Sequence, residues 1–344
     1  MKQLVIGTLL LIMAAPSLAG YEEGLASAKA GNFAHALKEW KPLAEQGNAA
    51  AQYNLAIMYA NGRGLPQDHQ QAQIWFRKAA EQGVAAAQLN LAVMYAKGQG
   101  TPQNYQLAAD WYQKAAEQGL ADAQFNLGLM YDQGQGVPQN FNKAVTWYRK
   151  AAEQSHAAAQ FILGFSYASG KGIPQDDQQA LAWYLKAAKQ GEVAAQVNLG
   201  IMYANGRGVA QDSRQAAAWY SKAAEQGEPT AQFNLGFMYE NGQGVPQDCQ
   251  QAATWYRKAA EQGHAKAQFN LGVCYTNGEC VAKDYVLAYM LFSLSANNGI
   301  EHASKSREAI AKKMTPDQLE ESQILTANWK VGKPLPIHSK TGLR

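Results

Sequence analysis

An all-α fold, an α/α solenoid of stacked helix pairs, follows from two observations in this 344-residue chain. The string Ala-Gln-x-Asn-Leu-Gly/Ala recurs at a fixed step of 36 residues, placing Gln52, Gln88, Gln124, Gln160, Gln196, Gln232 and Gln268 in register. Trp75, Trp111, Trp147, Trp183, Trp219 and Trp255 keep the same phase, so the period belongs to the whole unit. A repeat that reads as two helices cannot bury its own apolar face, and stacking it on copies of itself creates a continuous core. The sequence therefore suggests one long domain growing in one dimension, with a hollow side open for docking.

Residues 49–84 show how one unit folds. Ala51, Leu55, Met58 and Tyr59 fall on one face of a first helix. Gly62-Arg63-Gly64-Leu65-Pro66 then stops it, because glycine adopts left-handed backbone and proline cannot continue a helix. Asp68 is placed to cap the second helix, and Asn104, Asn140, Asp176, Asp212, Asp248 and Asp284 hold the same place later. Ala72, Trp75, Phe76, Ala79 and Ala80 form the stripe of that second helix, and Gly83 closes it. Alanines such as Ala151 and Ala187 are expected in the core, where they set the helix spacing while aromatic rings fill the gaps.

The ends depart from the pattern. Residues 1–19 pair a basic start with an apolar run and a small-residue Ser17-Leu18-Ala19 site, the form of a cleaved signal peptide. No cysteine follows that site, so the expectation is a soluble exported protein, periplasmic or secreted. Residues 20–48 read as a degenerate first helical pair turning at Gly31-Asn32, with Trp40 to Gly47 as its second helix. Seven full repeats span 49–300, and capping helices span 301–330, with Thr315-Pro316-Asp317-Gln318 as a capping box. The tail 331–344, with two prolines and two glycines, is expected to be disordered.

The motif Ala-x-x-Trp-Tyr-x-Lys-Ala-Ala-Glu-Gln-Gly, then Ala-Gln-x-Asn-Leu-Gly-x-x-Tyr, then Gly-x-Gly-Val-Pro-Gln-Asp, resembles the Sel-one-like repeat family, a relative of the tetratricopeptide repeats. The resemblance implies a right-handed superhelix of paired helices that works as an adaptor or scaffold for other proteins. Some relatives in that family look like penicillin-binding or β-lactam-hydrolysing proteins. A hydrolase of β-lactam or cell-wall fragments on the same fold is accordingly the alternative to an interaction scaffold.

Asn54, Asn90, Asn126, Asn198, Asn234 and Asn270 form a ladder on the first helices, broken by Ile162. An amide donates and accepts, so such a row either holds the backbone of an extended peptide or satisfies nearby backbone groups. Beside it Tyr53, Leu89, Phe125, Phe161, Phe233 and Phe269 read mainly as core. Lys78, Lys114, Lys150, Lys222 and Lys258 each precede a glutamate by three residues, the pattern of a solvated, ion-paired face. In an oxidising compartment Cys274 and Cys280 are placed to bond, leaving Cys249 free. His156 and His264 sit in units too far apart to share a metal. Lys340-Thr341-Gly342 matches one box of serine β-lactam chemistry, but no Ser-x-x-Lys supplies a nucleophile. The charged fraction is 17% and the net charge +3, too small and too interleaved to favour nucleic acid or an anionic membrane. The sequence reading is a monomeric, non-enzymatic scaffold with no cofactor, no metal and no membrane span, whose partner is a protein or peptide.

Overall fold

The computed structural model describes residues 18–336, and every regular element among them is an α-helix. Where the sequence suggests one long domain, the contacts group the chain into two compact units, residues 1–175 and 176–344. Contacts in a repeat chain are made with sequence neighbours, so compactness is local. The first unit holds α1 (Leu18–Lys29), α2 (Phe33–Glu45), α3 (Ala49–Asn61), α4 (His69–Glu81), α5 (Ala85–Lys97), α6 (Tyr105–Glu117), α7 (Ala121–Gln133), α8 (Phe141–Glu153) and α9 (Ala157–Ser169). The second holds α10 (Asp177–Lys189), α11 (Val193–Asn205), α12 (Ser213–Glu225), α13 (Pro229–Asn241), α14 (Cys249–Glu261), α15 (Ala265–Asn277), α16 (Tyr285–Asn297), α17 (Glu301–Ala311) and α18 (Pro316–Asn328). Within each unit every helix up to α16 packs on the next in sequence, and α17 and α18 both pack on α16.

Local signals end these helices where the sequence reading places them. Gly62 ends α3 in the left-handed region at φ 66° and donates to Met58 O. Asp68 accepts from the amides of Gln70 and Gln71, and Asp212 and Asp248 cap α12 and α14 in the same way. Asn104 and Asn140 cap α6 and α8 through one amide each. Thr315 and Gln318 form the capping box of α18. In the first pair α2 begins at Phe33 and runs through Pro42, rather than beginning at Trp40. Asn32 accepts from His35 N and starts it there, and Trp40 is a buried anchor whose indole donates to Tyr21 O.

The core is the alanine stripe with its rings. Ala72, Phe76, Ala79, Ala151 and Ala187 are all 0% exposed. Phe125, Phe233 and Phe269 are half-buried and pack on the second-helix rings Tyr148, Tyr256 and Phe292 at 5.9, 5.8 and 5.5 Å.

The repeated glutamine does more than mark the period. Gln88 Nε2 donates to Ala80 O, and Gln124 and Gln232 donate to Ala116 O and Ala224 O, the carbonyls at the end of the preceding second helix. Each of those carbonyls accepts the backbone amide of the glycine that closes the helix, Gly83, Gly119 or Gly227, and the buried side-chain amide is a second donor that ties it to the next repeat. A second glutamine, after the next second helix, donates in turn to the first: Gln118 to Gln88 at 2.8 Å, Gln154 to Gln124 at 2.8 Å and Gln262 to Gln232 at 2.9 Å. The Gln of Pro-Gln-Asp closes the other end, with Gln67 Nε2 on Ala60 O and Gln247 Nε2 on Glu240 O. Neutral amides thus satisfy helix ends at every junction without charge.

The loop between paired helices meets the first residue of the preceding second helix. The residue between the two loop glycines makes the contact, and its chemistry varies: Arg63 lies over Phe33 at 5.3 Å, Lys171 lies over Phe141 at 4.5 Å, and Arg207 pairs with Asp177 at 2.6 Å. The second glycine sits against the same residue's backbone. Gly244, at φ +71°, leaves no room for a Cβ beside the Ser213 carbonyl.

Two expectations are corrected outside the core. The second-helix lysines lie over tryptophans, Lys78 over Trp75 at 4.0 Å, Lys150 over Trp147 at 4.1 Å and Lys258 over Trp255 at 3.9 Å. Both partners lie three residues away, and the half-buried indole offers a broader, partly desolvated face than a solvated carboxylate. The first residues of the tail are docked rather than disordered. Gly332 N donates to Glu261 O at 2.7 Å, Leu335 N donates to the Glu261 carboxylate at 3.0 Å, and the Leu335 side chain is buried. An apolar slot and an unsatisfied helix end together hold a segment that proline keeps from being helical. Residues 337–344 lie outside the described residues.

Candidate protein-binding face

A first helix packs its Ala, Gln and Leu positions inward, and the remaining side is where a partner has access. In the second unit that side carries Asn198, Ile201 and Asn205 on α11, Asn234, Phe237 and Asn241 on α13, and Asn270, Val273 and Asn277 on α15. The i, i+3, i+7 spacing aligns each set on one helical face. Phe237 is 43% exposed, Asn205, Asn241 and Asn277 are exposed, and the others are half-buried. In the first unit Asn126, Leu129 and Gln133 on α7 and Ile162, Phe165 and Ser169 on α9 take the same places, with Phe165 46% exposed. A phenylalanine held largely in water costs solvation free energy unless another apolar surface covers it.

Four members of the predicted asparagine ladder, Asn126, Asn198, Asn234 and Asn270, stand on this face. Asn54 and Asn90 do not: each is 1% exposed, with Asn54 donating to the Tyr21 hydroxyl at 3.1 Å and Asn90 donating to Ala86 O at 3.0 Å. Burial makes an internal partner obligatory, so these two are core polar groups and not groove residues. Asn126 and Asn198 also donate to carbonyls four residues back, Asp122 O and Ala194 O. The exposed rings Phe165 and Phe237 escape a sequence reading because Leu129, Ile201 and Val273 at the same place are ordinary core-type residues.

His156 and His264 are N-caps. Each ring accepts from a backbone amide through Nδ1, Ala159 N at 3.1 Å and Ala267 N at 3.2 Å, and each stacks on a phenylalanine, Phe125 at 4.6 Å and Phe233 at 4.8 Å. Burial lowers the His264 pKa from its ordinary 6.5, against Glu228, which raises it, and with Lys266, which lowers it further. The folded state therefore favours neutral His264, so its contribution is full above pH 6.5 and is lost as pH falls through that value towards the depressed one. His264→Asn keeps a capping acceptor without a titrating group. Its melting temperature is expected to fall less than that of the wild type between about pH 7.5 and about pH 5. An unchanged slope contradicts the assignment.

Among the described residues no group of three or more His, Cys, Asp or Glu is arranged to hold a metal, and no helix is long and apolar enough to cross a membrane. Two cavities open beneath the junction contacts, one of about 90 Å³ lined by Phe141, Tyr148, Phe165 and Lys171 and one of about 70 Å³ lined by Phe33, Trp40, Asn54 and Arg63. They take a small side chain or a few waters and are smaller than substrate clefts. Cys274 is buried and Cys249 and Cys280 are half-buried, all three as free thiols. The Lys340-Thr341-Gly342 box lies outside the described residues.

Comparison with known proteins agrees with this architecture. The Sel1 repeat model matches seven consecutive segments, 49–84, 85–120, 121–156, 157–192, 193–228, 229–264 and 265–300. A Sel1 repeat protein from Oxalobacter formigenes is 35% identical over 71% of this chain and 96% of its own, with a TM-score of 0.61. A protective antigen of uropathogenic Escherichia coli, c5321, displaying an SLR fold, is 32% identical over 95% of this chain and 89% of its own, with a TM-score of 0.50. No curated relative matches. With seven matched copies and the helix pairing described above, the chain belongs to the Sel1 repeat family, helical scaffolds of the kind that mediate protein interactions.

Proposed function

We propose that the protein is an exported, monomeric scaffold that holds a protein or peptide on the free side of its first helices. The observation that carries this reading is Phe237, 43% exposed between Asn234 and Asn241 on one helical face. An exposed ring provides an apolar anchor, and the flanking amides pair with a peptide backbone without reading its sequence. Low charge on this face suits a partner recognised by shape and amide hydrogen bonds. Export to the periplasm or beyond is supported by the form of residues 1–19.

The test compares the wild type with Asn198→Ala/Asn234→Ala/Phe237→Ala in capture of partners from envelope fractions. Capture is expected to fall at least about tenfold, the loss of a hot-spot cluster, with helical circular dichroism unchanged. Full capture by the triple variant contradicts the reading. A mature N-terminus following Ala19 supports export, and an intact Met1 on protein recovered outside the cytoplasm opposes it. Nitrocefin turnover that disappears on mutation of a face residue would replace the scaffold by a hydrolase.

A further inference from the structure

The three cysteines gather at the junction between α14 and the loop that joins α15 to α16. Cys249 is the first residue of α14, and its thiol donates to Glu279 O at 3.6 Å. Cys280 occupies the place of the second loop glycine. At the preceding junctions of the same unit that glycine sits directly against the first residue of the second helix before it, Gly208 on Asp177 and Gly244 on Ser213. By the same register, Cys280 faces Cys249.

A side chain at this place has no room in the standard loop, because its Cβ falls on the helix backbone. The chain answers by rebuilding the loop. Gly208 and Gly244 have φ of +68° and +71°, whereas Ser155 is the one described non-glycine residue with positive φ, so Cys280 has left the left-handed region. Burial raises the pKa of its thiol, which nevertheless stays close enough to those of Cys249 and Cys274 that both push it up further. Cys274 has a different role. Met58, Met94, Met130, Met202 and Met238 fill its place in other repeats, and it is 5% exposed in the core. It fills volume, whereas Cys249 and Cys280 are the half-buried pair facing each other across two repeats.

We infer that Cys249 and Cys280 are a disulfide-forming modification site that staples α14 to the following loop, with Cys274 remaining a core thiol. This replaces the Cys274–Cys280 pairing expected from spacing alone. The oxidant is a small-molecule or protein disulfide. Cys249, on the exposed side of the contact, attacks the donor disulfide as thiolate and releases one donor thiol. Cys280 gives its proton to solvent and attacks the Cys249 sulfur of the mixed disulfide, releasing the second. Two protein thiols are oxidised, one donor disulfide is reduced to two thiols, and no other electron acceptor is needed. Burial pushes both the Cys274 and the Cys280 thiols up, so acidity does not choose between them and the pairing rests on Cys280 facing Cys249 across the junction.

The experiment equilibrates the full chain in glutathione buffers of rising disulfide content, alkylates free thiols, digests without reduction and reads the linked peptides by mass. Cys274 and Cys280 share one peptide after cleavage at Lys and Arg, so cleavage after Glu279 is added to separate them. The expected product is the Cys249 peptide joined to the Cys280 peptide, two hydrogens lighter than the reduced pair, with Cys274 alkylated. Cys274→Ser is expected to form the same link, and Cys249→Ser and Cys280→Ser to form none. A Cys274–Cys280 or Cys249–Cys274 link in the wild type, or three alkylated thiols at every glutathione ratio, overturns the inference.

Discussion

Gly244→Ala is expected to destabilise the second unit by about 4 kcal/mol, the largest single effect in a loop of this protein. Two terms add. The added Cβ falls on the Ser213 carbonyl and the Arg214 amide, backbone atoms at the start of α12 that cannot rotate away. The backbone at φ +71° also disfavours any side chain by about 1–2 kcal/mol. Cys280 shows the one escape open to the chain, abandonment of the left-handed loop. If Gly244→Ala takes that route, the loss is smaller and the amide proton resonances of 242–248 shift. Gly227→Ala is the matched control: it carries the same kind of positive φ, +90°, with nothing near its Cβ, so only the conformational cost remains. Equal denaturation midpoints for the two variants contradict the close approach.

Gln232→Leu is expected to cost about 2 kcal/mol. The residue is 4% exposed, and leucine fills its volume, so packing is nearly conserved. What is lost is the bond to Ala224 O at 3.2 Å and the acceptor for Gln262 at 2.9 Å. Ala224 O keeps the Gly227 amide at 3.0 Å and Gln262 Nε2 keeps Gly227 O at 2.9 Å, so neither group is left without a partner and each broken bond costs about 1 kcal/mol. Gln232→Glu separates shape from chemistry, since it keeps the outline and removes the donor. It is expected to be at least as damaging in urea denaturation. A Gln232→Leu protein as stable as the wild type shows that the amide relay only decorates the junction.

These two variants mark where the sequence was readable and where it was not. The period, the turn glycines and the Asp or Asn caps act within a few residues, and local spacing exposes them. The glutamine relay does not show locally, because its acceptor lies across a turn in the previous helix and its donor comes from the helix after. The lysines had two partners at equal sequence separation, glutamate ahead and tryptophan behind. Only the half-buried indoles of Trp111 and Trp147 show which one prevails. Asn54 and Asn90 share a motif with Asn198 and Asn234, yet the first two are enclosed and the last two are not. That difference comes from packing around each copy, and its one trace in the motif is Asn-Leu-Ala in the two enclosed copies against Asn-Leu-Gly in the others. Leu335 was hidden for a similar reason, since nothing near it in sequence announces the slot beside Glu261.

The central claim is that partners dock on the free side of the first helices and not on the second helices. Site-specific photo-crosslinking from single positions on the full chain tests it most directly. A benzophenone side chain replaces Phe237 or Phe165 on the first-helix side and, in separate variants, Ile74 or Leu107, which are exposed on second helices at 42% and 38%. Covalent adducts of one defined mass are expected from Phe237 and Phe165 and none from Ile74 or Leu107. Adducts from the second-helix positions, with none from the first-helix pair, would contradict it.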